Sequence, residues 1–277
     1  MFYYQNWDKF CAIIKASDFV TCRADESINL SKDVKFIVFK HDVETKVCRA
    51  LRLAEIEHNH GINGTYYVQA YLLDDPQNVA MLKRLQEMGH EISYHYDVLD
   101  ANNGNYEKAD KDFSDRLGRF NSEGFVFRTI CQHGNPVKER IGYNSNRDFF
   151  RNTEIKSKYP NLVDMVVNYS EHVKSPYKYV SDAGYMWKHI TEPETNDLNP
   201  DAETIPIGDF EKLEKFILNA NCSIVLSTHP HRWENSAMKI NLKIIVFKFV
   251  RTTVRSIEKA PIMRKILNKF YFLAKKI

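Results

Sequence analysis

Acids and imidazoles gather in this chain at one kind of place, where an apolar run gives way to polar residues. The run 34–39, "VKFIVF", leads into Lys40-His41-Asp42-Val43-Glu44, and 64–68, "GTYYV", leads into Gln69. The run 91–96, "EISYHY", carries His95 and ends at Asp97. Further on, 125–131, "GFVFRTIC", leads into Gln132-His133-Gly134, and 223–228, "SIVLST", leads into His229-Pro230-His231. Side chains of these types can bind a divalent metal, move protons, or do both at one centre.

Asp42 and Glu44 lie at i and i+2, so an extended backbone points them to the same side. One carboxylate can then bind a metal while the other takes a proton. The competing reading is that they cap a helix beginning near Thr45, where the helix dipole favours acids. His95 and Asp97 repeat the i, i+2 geometry. His90 follows Gly89 at the start of its strand, hence at the opposite end, and is expected to pack or cap. His133, in "CQHGNP", reads either as a turn histidine or as a ligand. His229 precedes a proline that restricts its backbone, and its near-neutral intrinsic pKa suits general acid work. His231 reads as a solvated loop residue. Asp182 and Trp187, in "YVSDAGYMW", read as a polar turn with a packed aromatic.

Parallel strands would bring these residues together. Residues 45–60 place Val47, Leu51, Leu53, Ala54 and Ile56 broadly on one side and stop at Gly61. Residues 77–88 repeat the pattern and stop at Gly89, and 209–219 form a further helix before the last strand. A sixth apolar run is "VDMVVN" at 163–168. Strands alternating with helices of this length predict βαβ units around a parallel sheet. The C-terminal strand ends of such a sheet form one face, where active sites are built.

Composition narrows the class. The 277 residues are 43% hydrophobic and 13% aromatic, which excludes a disordered chain. Five cysteines (Cys11, Cys22, Cys48, Cys131 and Cys222) include no CxxC pair, so neither a disulfide framework nor a thiolate zinc cluster is expected, and a reducing cytosol fits. The start, "MFYYQNWDKF", lacks the pattern of an export signal, and no run of about 18 apolar residues predicts a spanning helix. From Lys239 onward there are eleven Lys or Arg against one acid, Glu258, while the total charge is only +3. The body is therefore acidic and the tail basic, which argues against a nucleic-acid-binding body.

Six blocks, "VFKHDVE", "GINGTYYVQ", "MGHEISYHYD", "FRTICQHGNP", "YVSDAGYMW" and "IVLSTHPHRW", resemble in order those of the polysaccharide deacetylase superfamily (NodB-homology, carbohydrate esterase family 4), in a divergent, WbmS-like branch. They run from about residue 34 to 234. The resemblance implies a distorted (β/α)7 barrel in the α/β class, with a divalent metal, zinc by family habit, at the strand ends. It implies metal-assisted removal of an N-acyl group, acetyl or formyl, from an amino sugar during surface-polysaccharide biosynthesis. Asp42 would be a metal ligand, with Glu44 the competing ligand or the base. His95 aligns with the first metal histidine and His229 with the late general acid. Arg128 resembles the arginine that orients the base, and Asp182 an acid that supports the site.

One departure matters. The second metal histidine of the family lies four residues after the first, where this chain has Leu99. Catalytic zinc normally takes three protein ligands and water, so a replacement is needed: His133 is the first candidate and Asp97 the reserve ligand. With no replacement, the protein would be a non-catalytic glycan-binding or scaffolding protein.

The expected organisation is a barrel over 1–238 and a basic amphipathic helical tail over 239–277, broken at Pro261. Such a tail would attach to an anionic membrane surface, each basic residue contributing about 1 kcal/mol near the surface. It would suit a cytoplasmic enzyme, peripheral on the inner face of the cell membrane, acting on an N-acylated sugar or lipid-linked glycan.

Overall fold

A computed structural model describes residues 2–135, 138–199, 201–236 and 238–245. Its strands are β1 (Val20–Cys22), β2 (Phe36–Val43), β3 (Thr65–Val68), β4 (Glu91–Tyr96), β5 (Thr129–Gln132), β6 (Val163–Asp164), β7 (Tyr177–Ser181), β8 (Trp187–Ile190), β9 (Thr204–Gly208) and β10 (Ser223–Thr228). Helices α1 (Tyr4–Lys15), α2 (Ala24–Ser27), α3 (Val47–Asn59), α4 (Pro76–Glu87), α5 (Val98–Ala101), α6 (Tyr106–Ser122), α7 (Arg147–Arg151), α8 (Thr153–Lys158) and α9 (Phe210–Leu218) fall between them.

The strands pair in the order β6-β5-β4-β3-β2-β10-β7, all in parallel, so the fold is the expected α/β barrel core. Antiparallel β8 and β9 extend it beyond β7, and β1 pairs with the first half of β2. No backbone ladder joins β6 to β7 among the described residues; side chains bridge that seam. Tyr169, just after β6, meets Tyr177 of β7 with ring centroids 5.2 Å apart, and its hydroxyl is 2.6 Å from Ser27 Oγ. The barrel is therefore distorted and open by one strand gap.

Strand pleating sorts the side chains. Phe36, Val38, Tyr67, Cys131, Val163, Tyr179 and Val225 point inward and form one apolar cluster. Residues of opposite parity face the helices. Ile37, Phe39, Ile224 and Leu226 meet Trp7, Phe10, Leu53 and Ile217, while Tyr66, Ile92, Tyr94 and Ile130 meet Leu51, Leu82 and Phe113. On that outer side a buried Glu57 binds three strand and helix groups. It accepts hydrogen bonds from Trp7 Nε1 at 2.9 Å and from the Tyr66 hydroxyl at 2.8 Å, and His41 Nε2 lies 2.8 Å away. His90 stays on this structural side as expected, its Nδ1 accepting the Gly64 N–H at 2.9 Å.

The expected stops at Gly61 and Gly89 hold, and both glycines have positive φ, 63° and 94°. Other boundaries differ. The fifth run pairs only from Thr129, because Phe125 joins the helix-side cluster and Phe127 packs against it before the chain enters the sheet. The run 163–168 pairs only at Val163–Asp164. Of the basic tail, residues 239–245 are described: they are helical, Ile240 is buried in the α1-side cluster, and Lys243 pairs with Glu234 at 2.7 Å. The rest of the expected tail, including the break at Pro261, lies outside the described residues.

At the N-terminal floor of the barrel, Glu91 accepts from Thr65 Oγ1 at 2.8 Å and from Thr129 Oγ1 at 3.1 Å. Burial pushes its carboxyl up from 4.5 to about 7. Between those values the unfolded chain has lost this proton while the folded chain keeps it, so the contribution of Glu91 to stability falls as pH rises. Glu91→Gln, which stays neutral, should gain on the wild type between acid and mildly alkaline pH by up to about 3 kcal/mol. Urea unfolding of both proteins across that range measures the gap; a constant gap would contradict the shift.

Candidate metal and acid-base site

The inward parity of the strands is carried past their C-terminal ends by the polar residues. On β2 the inward series is Phe36, Val38, Lys40, Asp42 and then Glu44; on β4 it is Glu91, Ser93, His95 and Asp97. The series on β5 is Thr129, Cys131, His133, and on β10 it is Ser223, Val225, Ser227, His229. These strands lie within the run β5-β4-β3-β2-β10 of the curved parallel sheet, so the ends of the four series converge. Asp42, Glu44, His95 and His133 are all buried.

Two groups of ligand atoms lie close enough to share a cation. Glu44, His95 and His133 offer atoms all within 4.8 Å of one another, and so do Asp42, His95 and Cys131. His133 Nε2 is 3.1 Å from Glu44 Oε1, and the His95 and His133 rings are 5.2 Å apart in an edge-on arrangement. The Nδ1 of His95 is 3.1 Å from the Cys131 carbonyl. A carbonyl only accepts, so Nδ1 carries the proton and Nε2 keeps its lone pair, the pattern that prepares an imidazole for a metal. Burial pushes His95 down to about 3, against the pull of Asp42, which keeps the ring neutral.

Asp42 is held differently. Its Oδ1 is hydrogen-bonded to Lys40 Nζ inside the barrel, and Ser227 Oγ lies 3.4 Å from both Lys40 Nζ and Asp42 Oδ2. Burial alone would raise the Asp42 carboxyl, but Lys40, His95 and His229 outweigh it and hold it at about 2. The N-cap position of α3 falls on Lys46, in the left-handed region at φ 47°, two residues past Glu44.

Across from these groups stands a histidine–aspartate pair. His229 Nδ1 is 2.6 Å from Asp182 Oδ1, and its backbone N–H and Thr228 Oγ1 donate to Asp182 Oδ2 at 2.9 and 2.7 Å. Arg232 also pairs with Asp182 and stacks at 5.6 Å over the Tyr185 ring. Burial alone would raise Asp182; Arg232 and His229 outweigh it and keep the carboxyl ionised far below the usual range. The carboxylate can only accept, so His229 Nδ1 bears the proton and Nε2 faces the site. That Nε2 is 3.9 Å from Asp42 Oδ2 and 4.0 Å from Glu44 Oε1. The "YVSDAGYMW" stretch thus supplies a site acid from Asp182, while Trp187 packs in the core as a plain aromatic.

Other expectations are corrected. Arg128 stands at the N-terminal end of β5, exposed, with its guanidinium 3.4 Å from Asn29 Oδ1, so it cannot orient a base at the opposite strand ends. His231 is not a solvated loop residue: its Nδ1 is 3.9 Å from Glu44 Oε2, and its side chain is only 13% exposed. Leu99 is fully buried in the helix-side cluster, where a histidine would point into the core and away from the ligands. Asp97 is mostly buried near His133, and its carboxyl is raised by burial. Three site residues were not singled out from sequence: Lys40, Cys131 and Ser227. Each lies two residues before a recognised one, so carrying the i, i+2 rule one step down each strand would have found them.

The residues present fit a divalent cation. One carboxylate and two imidazoles form a donor set suited to zinc and similar metals. The buried acids Asp42, Glu44 and Asp182 outnumber Lys40 and Arg232, and buried acids in excess call for a cation. A cleft of about 630 Å³, lined by Ser170, Tyr177, Ile190 and Glu194, opens at the β6–β7 seam and includes none of these residues.

Asp182→Ala would leave three donors (Thr228 Oγ1 and the backbone and ring N–H of His229) without their acceptor and the Arg232 guanidinium with only the residue-182 backbone carbonyl and no counter-charge. It should cost about 3–5 kcal/mol in chemical denaturation. Asp182→Asn, of similar size, should cost less but lose the Nδ1–H tautomer of His229, read by nitrogen-detected NMR of the ring. An unchanged tautomer would contradict the orienting role.

No protein-family model matches the chain, and no curated protein matches it. Among solved structures it is similar to a family 4 carbohydrate esterase from Streptomyces lividans in complex with acetate, at 12% identity over 77% of this chain and 87% of that one, with a TM-score of 0.44. It is similar to the peptidoglycan deacetylase PdaC from Bacillus subtilis, at 10% identity over 82% and 99% of the two chains, TM-score 0.37. The catalytic domain of a peptidoglycan N-acetylglucosamine deacetylase from Eubacterium rectale is a third, at 16% identity over 79% and 86%, TM-score 0.39. At this level of overlap these likenesses transfer no residue role or substrate to the chain.

Proposed function

We propose that the chain is a metal-dependent hydrolase that removes an N-acyl group, acetyl or formyl, from an amino sugar. The observation that carries this reading is the convergence of Glu44, His95 and His133 with Asp42 on one side and the His229–Asp182 pair on the other. Glu44, His95 and His133 would hold the cation, which exchanges the roles expected from the sequence, where Asp42 is the first-choice ligand and Glu44 the competing ligand or base. A divalent cation supplies Lewis-acid polarisation of the acyl carbonyl and makes a water more acidic. Asp42, ionised and fixed by Lys40, accepts the proton that water loses as it attacks the carbonyl carbon. As the carbon–nitrogen bond breaks, His229 in its imidazolium form gives its Nε2 proton to the departing amine and returns to the Nδ1–H tautomer. Asp182 holds the ring in that orientation and stabilises its protonated form. His133 supplies the third ligand that Leu99 cannot, which favours hydrolysis over glycan binding at a lapsed metal site.

The order of the six blocks supports a glycan substrate, and a surface-polysaccharide precursor is the reading we favour. No helix among the described residues is long and apolar enough to cross a membrane. The proposed attachment of residues 239–277 to an anionic membrane surface, with a lipid-linked substrate at the cytoplasmic face, falls largely on residues outside those described.

Purified protein loaded with zinc should release amine from N-acetylated or N-formylated amino-sugar oligosaccharides. His229→Ala should lower kcat by about 10²–10⁴, the range for loss of a positioned acid, with metal content unchanged. Undiminished turnover in that variant would remove the general-acid role, and no amine release by loaded protein from either substrate class would remove the N-deacylase reading.

A further inference from the structure

Lys40 is fully buried in the barrel interior, where an ammonium is costly unless it has a specific partner. Its Nζ is hydrogen-bonded to Asp42, lies 3.4 Å from Ser227 Oγ, and stands 5.2 Å from the centroid of the Tyr67 ring. Two groups among the described residues could hold a cation, and this is the neighbourhood of the lower one, Asp42–His95–Cys131. The upper site is Glu44–His95–His133. His95 belongs to both, so one metal ion must choose between them.

We propose that Lys40 acts as the internal cation of the barrel, a positioning residue that keeps a metal out of the lower site and so assigns Asp42 to proton transfer and Glu44 to the metal. The inference rests on the metal reading given above and deepens it. Two positive charges cannot share the Asp42 carboxylate without repelling each other, and in a buried site that repulsion is weakly screened. With Oδ1 taken by the ammonium, the remaining carboxylate oxygen lies 3.4 Å from Ser227 Oγ and 3.9 Å from His229 Nε2. Lys40 thereby fills the part that Arg128, at the far end of its strand, cannot play. It also keeps the Cys131 sulfur, a strong soft ligand, out of the coordination sphere.

Cobalt(II) reports the choice, because thiolate ligation gives an intense near-ultraviolet sulfur-to-cobalt band. Wild-type protein loaded with one equivalent of cobalt should lack that band. Lys40→Met, of similar length without charge, should acquire it, and Lys40→Met combined with Cys131→Ser should lose it again. A band in the wild type, or cobalt-loaded Lys40→Met with a wild-type spectrum, would overturn the proposal. Cys131→Ser alone tests it without disturbing the ion pair: cobalt affinity should stay within about twofold, whereas a loss of about tenfold or more, the scale of losing a metal-ordering partner, would overturn it. Failure of the wild type to bind cobalt at all would instead remove the metal reading on which the inference stands.

Discussion

The pleat of β2 is the constraint on which the rest depends. This strand lies at the centre of the sheet, paired with β3, β10 and β1, and every residue in it is buried. Successive side chains must therefore go to opposite, equally dry faces. His41 goes outward to Glu57, tying α3 and, through Trp7, α1 to the sheet. Lys40 and Asp42 go inward and form an ion pair that neither face could leave unpaired. A one-residue slip would bury Asp42 among the helices and turn His41 into the lumen. Register in β2 is thus enforced by charge as well as by apolar packing.

The same alternation builds the site cheaply in structural terms. Each strand that ends at the upper rim adds one or two polar groups in a fixed direction, and its apolar residues below form the floor that excludes water. Hydrogen bonds to backbone or carboxylate then set which ring nitrogen is protonated: the Cys131 carbonyl for His95 and Asp182 for His229. The cluster carries more buried negative than positive charge, which is unfavourable for the empty fold and favourable for binding a cation. Stability and function are in tension here, and Lys40 and Arg232 reduce it without removing it.

Much of this was legible in the sequence because it depends on local geometry. Strand ends with polar residues at i and i+2, and helices stopped by Gly61 and Gly89, predict both the parallel core and the face on which Asp42, Glu44, His95, His133 and His229 meet. Arg128 was misplaced because a run of apolar residues does not reveal where pairing begins; β5 starts at Thr129, leaving the arginine at the wrong end. Helix α6 leaves little trace, since only Ala109, Phe113 and Phe120 of its residues are buried. Strands β7 to β9 are short, and β9 is mostly exposed, so alternation is weak there. His231 looked solvated because nothing local indicates that the turn after β10 folds back over Glu44.

The central claim is that one cation is held by Glu44, His95 and His133 while Asp42 stays with Lys40. Diffraction from crystals grown with zinc, measured on both sides of the zinc absorption edge, locates the metal independently of any activity. The account predicts a single anomalous peak within bonding distance of Glu44, His95 and His133, with the Lys40–Asp42 pair intact. A peak between Asp42, His95 and Cys131, or no peak among these residues, would contradict it.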